Sequence, residues 1–309
     1  MGLQGNDLLT LGDITSDDVR TVIERAVVQK RMWNASSNRP RPLADRAVAI
    51  VMLKPSMRTR VSFEVAVRQL GGTPIVLGAD SVFSRGETVE DTAKVLERYC
   101  DCIVLRTFEQ SHLEEVAHHA SVPVINALTD DYHPCQVLAD LLTIHERKGE
   151  LAGLKLAYVG DGNNMANTLL IGGAHVGMNV TVACPQGFVP LPAAIERAEE
   201  IAAGTGAQLR VVSDAGSAVT DADVVVTDTW TSMGQEEEHD RRLAEFRGYT
   251  VNGPLMALAK PDAIFMHCLP AHRGEEVLEE VIDGPQSVIY EEAGNRMRAQ
   301  KALLSLIMG

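Results

Sequence analysis

Apolar residues in this chain gather in short runs, most of them nearly continuous. In the first half the runs are Ala47 to Leu53, Thr73 to Leu77, Cys102 to Leu105 and Val122 to Ile125. In the second they are Lys155 to Val159, Asn179 to Ala183, Gln208 to Val212, Val224 to Thr227, Ala263 to Met266 and Val288 to Tyr290. Runs of this length, rich in β-branched residues, predict strands covered on both faces, as in parallel sheets. Between them apolar positions recur at helical spacing: Ser16 to Trp33, Arg60 to Leu70, Thr88 to Tyr99, Ser111 to Ala120, His133 to Lys148, Asn164 to Val176, Leu191 to Ala203 and Gly294 to Ile307.

This alternation predicts an α/β fold: two doubly wound parallel-sheet domains with a cleft between them, bridged by two helices. The first bridge is the long helix from His133, with Pro134 in its first turn and Gly149 near its end. The last helix is apolar enough to dock rather than trail in solvent. The expected division is residues 1–148, with about 294–309 docking back on them, and residues 149–293. A length of 309 residues also suits two cores better than one.

The formal charge of −14 argues against a nucleic-acid partner, which needs clustered Lys and Arg. No apolar run reaches the ~20 residues that span a bilayer, and Met1 to Thr15 has no leader-like pattern. A cytoplasmic protein is expected. Five cysteines without framework spacing read as reduced thiols. A zinc site from His133, Cys135, His267 and Cys268 is not expected, because the spacings are wrong for one metal.

Candidate chemistry sits where apolar runs end. Lys54-Pro55-Ser56-Met57-Arg58-Thr59-Arg60 follows the first strand and leads into a helix, so hydroxyls, a guanidinium and the positive helix end form an anion cradle. Arg106 ends the third run. His133 and Gln136, three apart, share one face near the start of the long helix. With Arg106 and Thr59 they suit a carbonyl oxygen that gains negative charge; taken alone, His133 reads better as a capped, partly exposed histidine. Asp228-Thr229-Trp230-Thr231-Ser232-Met233-Gly234 follows another strand, and Asp228 suits a cationic amine; an ordinary surface loop is the plainer reading. His267-Cys268-Leu269-Pro270 closes the ninth run with a thiol and a fixed turn. Gly160-Asp161-Gly162 approaches a dinucleotide fingerprint but lacks its third glycine.

These islands, in this order over essentially the whole chain, resemble the aspartate/ornithine transcarbamoylase superfamily, its ornithine branch most closely. The SxRTR, HPxQ, DxWxSMG and HCLP motifs carry the resemblance, with Glu87-Thr88 and Asp91-Thr92-Ala93. It implies a first domain binding carbamoyl phosphate through Ser56, Met57, Arg58, Thr59, Arg106, His133, Gln136 and Arg296, with Cys268 and Leu269 added from the second domain. It implies a second domain binding the amino acid through Asn164, Asp228, Ser232 and Met233. Arg106, His133, Gln136, Cys268 and Asp228 are then the catalytic set, with no cofactor, no metal and no membrane. A cis Leu269–Pro270 bond and a homotrimer, or a multiple of trimers, are also implied.

The expected reaction is carbamoyl transfer to the side-chain amine of L-ornithine in arginine biosynthesis, giving citrulline. Met57 replaces the usual threonine, and Val82 stands where ornithine enzymes present a glutamine to the neighbouring subunit. Lys54, Ser84 or Arg85 could compensate. The loop Gly160 to Asn164 is also about one residue short. N-acetylornithine, a shorter diamino acid or putrescine are therefore alternative acceptors, and a non-catalytic ligand-binding member is an alternative of another class.

Overall fold

The computed structural model describes residues 2–35, 39–80, 82–83, 86–231 and 236–309. They form two compact units, Met1–Leu142 with Gly294–Gly309, and Thr143–Ala293. The first contains α1 (Ser16–Ala35), β1 (Ala47–Met52), α2 (Met57–Gln69), β2 (Thr73–Gly78), α3 (Val89–Leu96), β3 (Cys102–Arg106), α4 (Gln110–His119), β4 (Val124–Leu128) and the start of α5 (Pro134–Lys148). Its four strands are all parallel, in the order β2-β1-β3-β4. The inner strands β1 and β3 are buried almost throughout, which is why they read as continuous apolar runs. Leu8 covers the outer edge of β4 by pairing with Ile125. Ala49, Val51, Ile103 and Leu105 pack with Ala93, Leu113 and Val82; Val82 is thus a core residue, its side chain turned inward.

The second unit holds β5 (Lys155–Val159), α6 (Asn164–His175), β6 (Asn179–Ala183), α7 (Pro192–Thr205), β7 (Leu209–Val212), α8 (Ala215–Val219), β8 (Val224–Thr227), α9 (His239–Glu245), α10 (Gly253–Met256), β9 (Ile264–His267) and α11 (Glu279–Ile282). The sheet order is β7-β6-β5-β8-β9, again all parallel. The last helix, α12 (Ile289–Ile307), like α5, contains a division point between the units. Both sheets reverse strand order once, between β1 and β3 and between β5 and β8. Beyond the carboxyl ends of strands at such reversals, open α/β sheets bind their ligands.

Two elements differ from expectation. Helix α2 begins at Met57, three residues early, because Ser56 caps it, its hydroxyl accepting from Thr59 N at 3.3 Å. Arg58 and Thr59 thereby join the first turn. The expected strand Val288 to Tyr290 does not form: pairing with β9 ends where Val288 N donates to the Phe265 carbonyl, and helix α12 starts at Ile289. Three apolar residues are too few to reveal a period, and Glu291 and Glu292 in the first turn favour a helix N-terminus.

Candidate active site

In the first unit the cations gather around buried polar groups at the ends of β1, β3 and β4. Thr59 is fully buried, and its hydroxyl oxygen accepts from Arg106 Nη1 at 3.4 Å and from Arg296 Nη2 at 3.0 Å. A hydroxyl has two lone pairs and one proton. With both lone pairs engaged by guanidiniums, Thr59 has only its proton left to offer. Arg106 is held by its Nε donating to the Lys54 carbonyl at 3.1 Å. The Lys54 ammonium, almost fully buried, pairs with Asp130 at 2.7 Å and lies 5.0 Å from the Phe108 ring centre.

His133 precedes α5 and is buried beside these cations. Burial, then the charges of Arg296, Arg106, Arg58 and Lys54, hold its pKa well below the ordinary value of 6.5. It is a neutral imidazole at pH 7, able to donate one N–H without adding charge. Gln136, one turn on and fully buried, donates from its amide to Asp140 at 2.8 Å, which orients it. Ser56 and Arg58 are half-buried, and Met57 exposes most of its side chain.

In the second unit the groups lie past β5, β8 and β9. Asp228 is buried, and both its oxygens are engaged: Cys268 Sγ donates at 3.1 Å and Asn163 Nδ2 at 2.9 Å. Asn163 caps α6, its amide oxygen accepting from Met165 N, Ala166 N and the Tyr158 hydroxyl. Burial, then the charge of Asp228, pushes the Tyr158 phenol well above 10, so it stays protonated and donates. His267 accepts from Leu269 N at its Nδ1, 2.9 Å, leaving the Nε2 proton for Glu276 at 3.2 Å. Asp228, His267 and Cys268 present ligand atoms within 4.8 Å of one another, but with both ring nitrogens occupied His267 has no lone pair for a metal. Leu269 has φ of 58°, unusual without glycine, and its bond to Pro270 is cis.

The turn between β5 and α6 uses glycine for close packing within the protein. Gly162 N donates to the Phe188 carbonyl at 2.8 Å, and a Cβ there would lie 2.3 Å from the Val189 carbonyl carbon. The glycine therefore meets chain rather than a pyrophosphate. Gly162→Ala is expected to destabilise by about 1 to 3 kcal/mol, as overpacking does, read from the denaturant midpoint; an unchanged midpoint would mean that the turn relaxes freely.

Residues 6–146 match the family profile described as aspartate/ornithine carbamoyltransferase, carbamoyl-P binding domain. Residues 152–307 match its Asp/Orn binding domain. The chain belongs to the aspartate/ornithine carbamoyltransferase family. Among its relatives, an ornithine carbamoyltransferase of Symbiobacterium thermophilum is 53% identical over 307 residues, 99% of each chain. An ornithine carbamoyltransferase of Pyrococcus furiosus described as anabolic is 49% identical, over 100% of this chain and 98% of that one. The solved structure of the Pyrococcus furiosus ornithine carbamoyltransferase superposes with a TM-score of 0.96 at 48% identity, covering 100% of this chain and 99% of that one.

Within this carbamoyltransferase fold, Thr59, Arg106 and Arg296 meet through direct hydrogen bonds, beside His133. In the other unit Asp228 and Cys268 meet the same way. Asn164 opens α6, and the amide of Asn163 before it reaches Asp228. Ser232 and Met233, like the candidate compensators Ser84 and Arg85, lie outside the described residues. Sequence reading missed Asn163 and Tyr158. An Asn directly before a helix was the available signal for the first; nothing in the sequence distinguished Tyr158 from a core residue. It also missed Arg242, considered below.

Proposed function

We propose that this chain transfers the carbamoyl group of carbamoyl phosphate to the side-chain amine of L-ornithine, giving L-citrulline and phosphate. The observation that carries the reading is Thr59, a buried hydroxyl with only its proton to give, set between two guanidiniums and near a neutral imidazole. That arrangement suits an acyl phosphate, which brings anionic oxygens and a carbonyl together. In this reading Ser56, the Met57 backbone, Arg58 and Arg296 hold the phosphate, while Arg106, His133, Gln136 and Thr59 donate to the carbonyl oxygen as it gains charge. Asp228, with Asn164, Ser232 and Met233, holds the amino acid. Cys268 and Leu269 line the reaction centre.

The neutral amine attacks the carbamoyl carbon, the carbon–oxygen bond to phosphate breaks, and the attacking nitrogen loses a proton. No covalent intermediate is required; orientation and charge stabilisation supply the acceleration. The decisive assay is phosphate release with a panel of L-ornithine, N-acetyl-L-ornithine, putrescine, L-aspartate and shorter diamino acids. Ornithine-dependent citrulline supports the reading. Turnover only with another amine moves the acceptor, and none with any amine supports a ligand-binding role. Because the attacking amine must be unprotonated, turnover should rise with pH toward the amine's pKa; a flat profile would remove deprotonation from the mechanism.

We further assign the chain to arginine biosynthesis, in keeping with the anabolic relative, and to the cytoplasm. No described helix is long and apolar enough to cross a membrane. A membrane-bound fraction after cell lysis would contradict this placement. A homotrimer, or a multiple of trimers, is supported by exposed apolar side chains on the first unit: Val61 on α2, Ile75 on edge strand β2, Val95 on α3 and Tyr99 beyond it. A monomer mass by light scattering would rule it out.

A further inference from the structure

We infer that Arg242, which belongs to none of the motifs above, is a positioning residue for the acceptor amine: by tying Asp161 to the Trp230 carbonyl it holds the Asn163–Asp228 pair in place. The inference rests on the proposed function, in which Asp228 receives the amine.

Arg242 sits on α9 and is buried. Its Nη1 donates to Asp161 Oδ2 at 2.7 Å and to the Trp230 carbonyl at 2.8 Å, and its Nε donates to Glu238 Oε2 at 3.2 Å. Asp161 lies in the turn between β5 and α6, two residues before Asn163; Trp230 follows β8, two residues after Asp228. One guanidinium nitrogen therefore clips together the two segments whose side chains meet in the 2.9 Å Asn163–Asp228 bond. The planar guanidinium fixes the directions of the two Nη1 donors and anchors them through the Nε bond to Glu238, an anchor that the single ammonium of a lysine lacks.

The surroundings keep the clip rigid. The guanidinium lies 5.2 Å from the Phe188 ring centre, and Phe246 stacks on Trp230 at 5.3 Å while meeting Phe188 edge-on at 4.8 Å. The Phe188 carbonyl in turn holds Gly162 N. Burial pushes the Asp161 carboxyl up to about 6, with Arg242 opposing the rise. Without that cation Asp161 would be a buried charge lacking its partner, so the turn must shift or take up a proton.

The test is steady-state kinetics on the full chain with Arg242→Met, Arg242→Lys, Asp161→Asn and the double variant R242M/D161N, with melting curves alongside. R242M should raise KM for ornithine about tenfold or more, as loss of a charged hydrogen bond does, while KM for carbamoyl phosphate stays within about twofold. R242K should recover part of the loss. D161N should show the same split, and the double variant should be no worse than R242M alone, because both break one brace. An ornithine KM unchanged in R242M, or both KM values rising together, overturns the inference. If R242M does not fold, D161N decides by the same criterion. A wild-type chain making no citrulline from ornithine overturns the functional reading and this inference with it. Turnover in the wild type with an unmoved ornithine KM in the variants overturns the inference alone.

Discussion

Arg106→Met is expected to lower citrulline formation by about 10²- to 10³-fold or more, the cost of removing a donor to developing oxyanion charge, which is the role proposed for Arg106. Arg106 is bound from both sides, to the Lys54 carbonyl and to the Thr59 hydroxyl, so its guanidinium stands in place before any ligand arrives. Preorganisation of this kind makes a donor worth more than a mobile surface arginine, because no reorganisation is needed as charge develops. The substitution also frees one Thr59 lone pair, so that the hydroxyl is no longer committed to donating. Arg106→Lys keeps the charge without the fork, and should fall between wild type and R106M. If R106M kept more than about a tenth of wild-type turnover, Arg106 would be binding rather than stabilising the reacting carbonyl.

His133→Gln should have two separable effects. Turnover is expected to drop by about 10²-fold if, as proposed, the neutral imidazole is one of the donors to the carbonyl. Stability should change with the opposite sense at acid pH. In the fold His133 has its pKa held well below 6.5, so it remains neutral while the unfolded chain takes a proton below that value. The unfolded state then binds more protons, and stability, fully present above about pH 6.5, falls as pH drops toward the folded pKa, by up to ~1.4 kcal/mol per pH unit. Glutamine has no such proton to take up. H133Q should therefore lose less stability than wild type between about pH 6.5 and 5, read by urea midpoints at each pH. Parallel loss in the two proteins would show that His133 titrates normally in the fold.

The strands and their order of appearance were legible because a strand buried on both faces is a continuous apolar run, visible without knowing its neighbours. The islands were legible for a related reason: polar and charged residues that end such a run stand at the carboxyl edge of a parallel sheet. Ser56, Thr59, Arg106 and Asp228 stand at or just beyond such ends, and His133 and Gln136 at the opening of a long helix. The start of α12 was not legible, because Val288 to Tyr290 is too short to show a period and its character depends on pairing beyond β9.

What the sequence determined by itself is therefore local: which segments are strands, which helices follow them, and which chemical groups stand at their ends. What only the tertiary structure decided is convergence. Arg296 lies 237 residues from Thr59 and still donates to its hydroxyl. His133 is neutral because of burial and then of four nearby cations, not because of its neighbours in the chain. Asn163 reaches Asp228 across 65 residues, and Arg242 joins two loops that its own motif-free helix gave no reason to connect. Hydrogen-bond partners and desolvation belong to groups that meet in space, so they follow from the packing of distant segments and leave no period or spacing in the sequence to read.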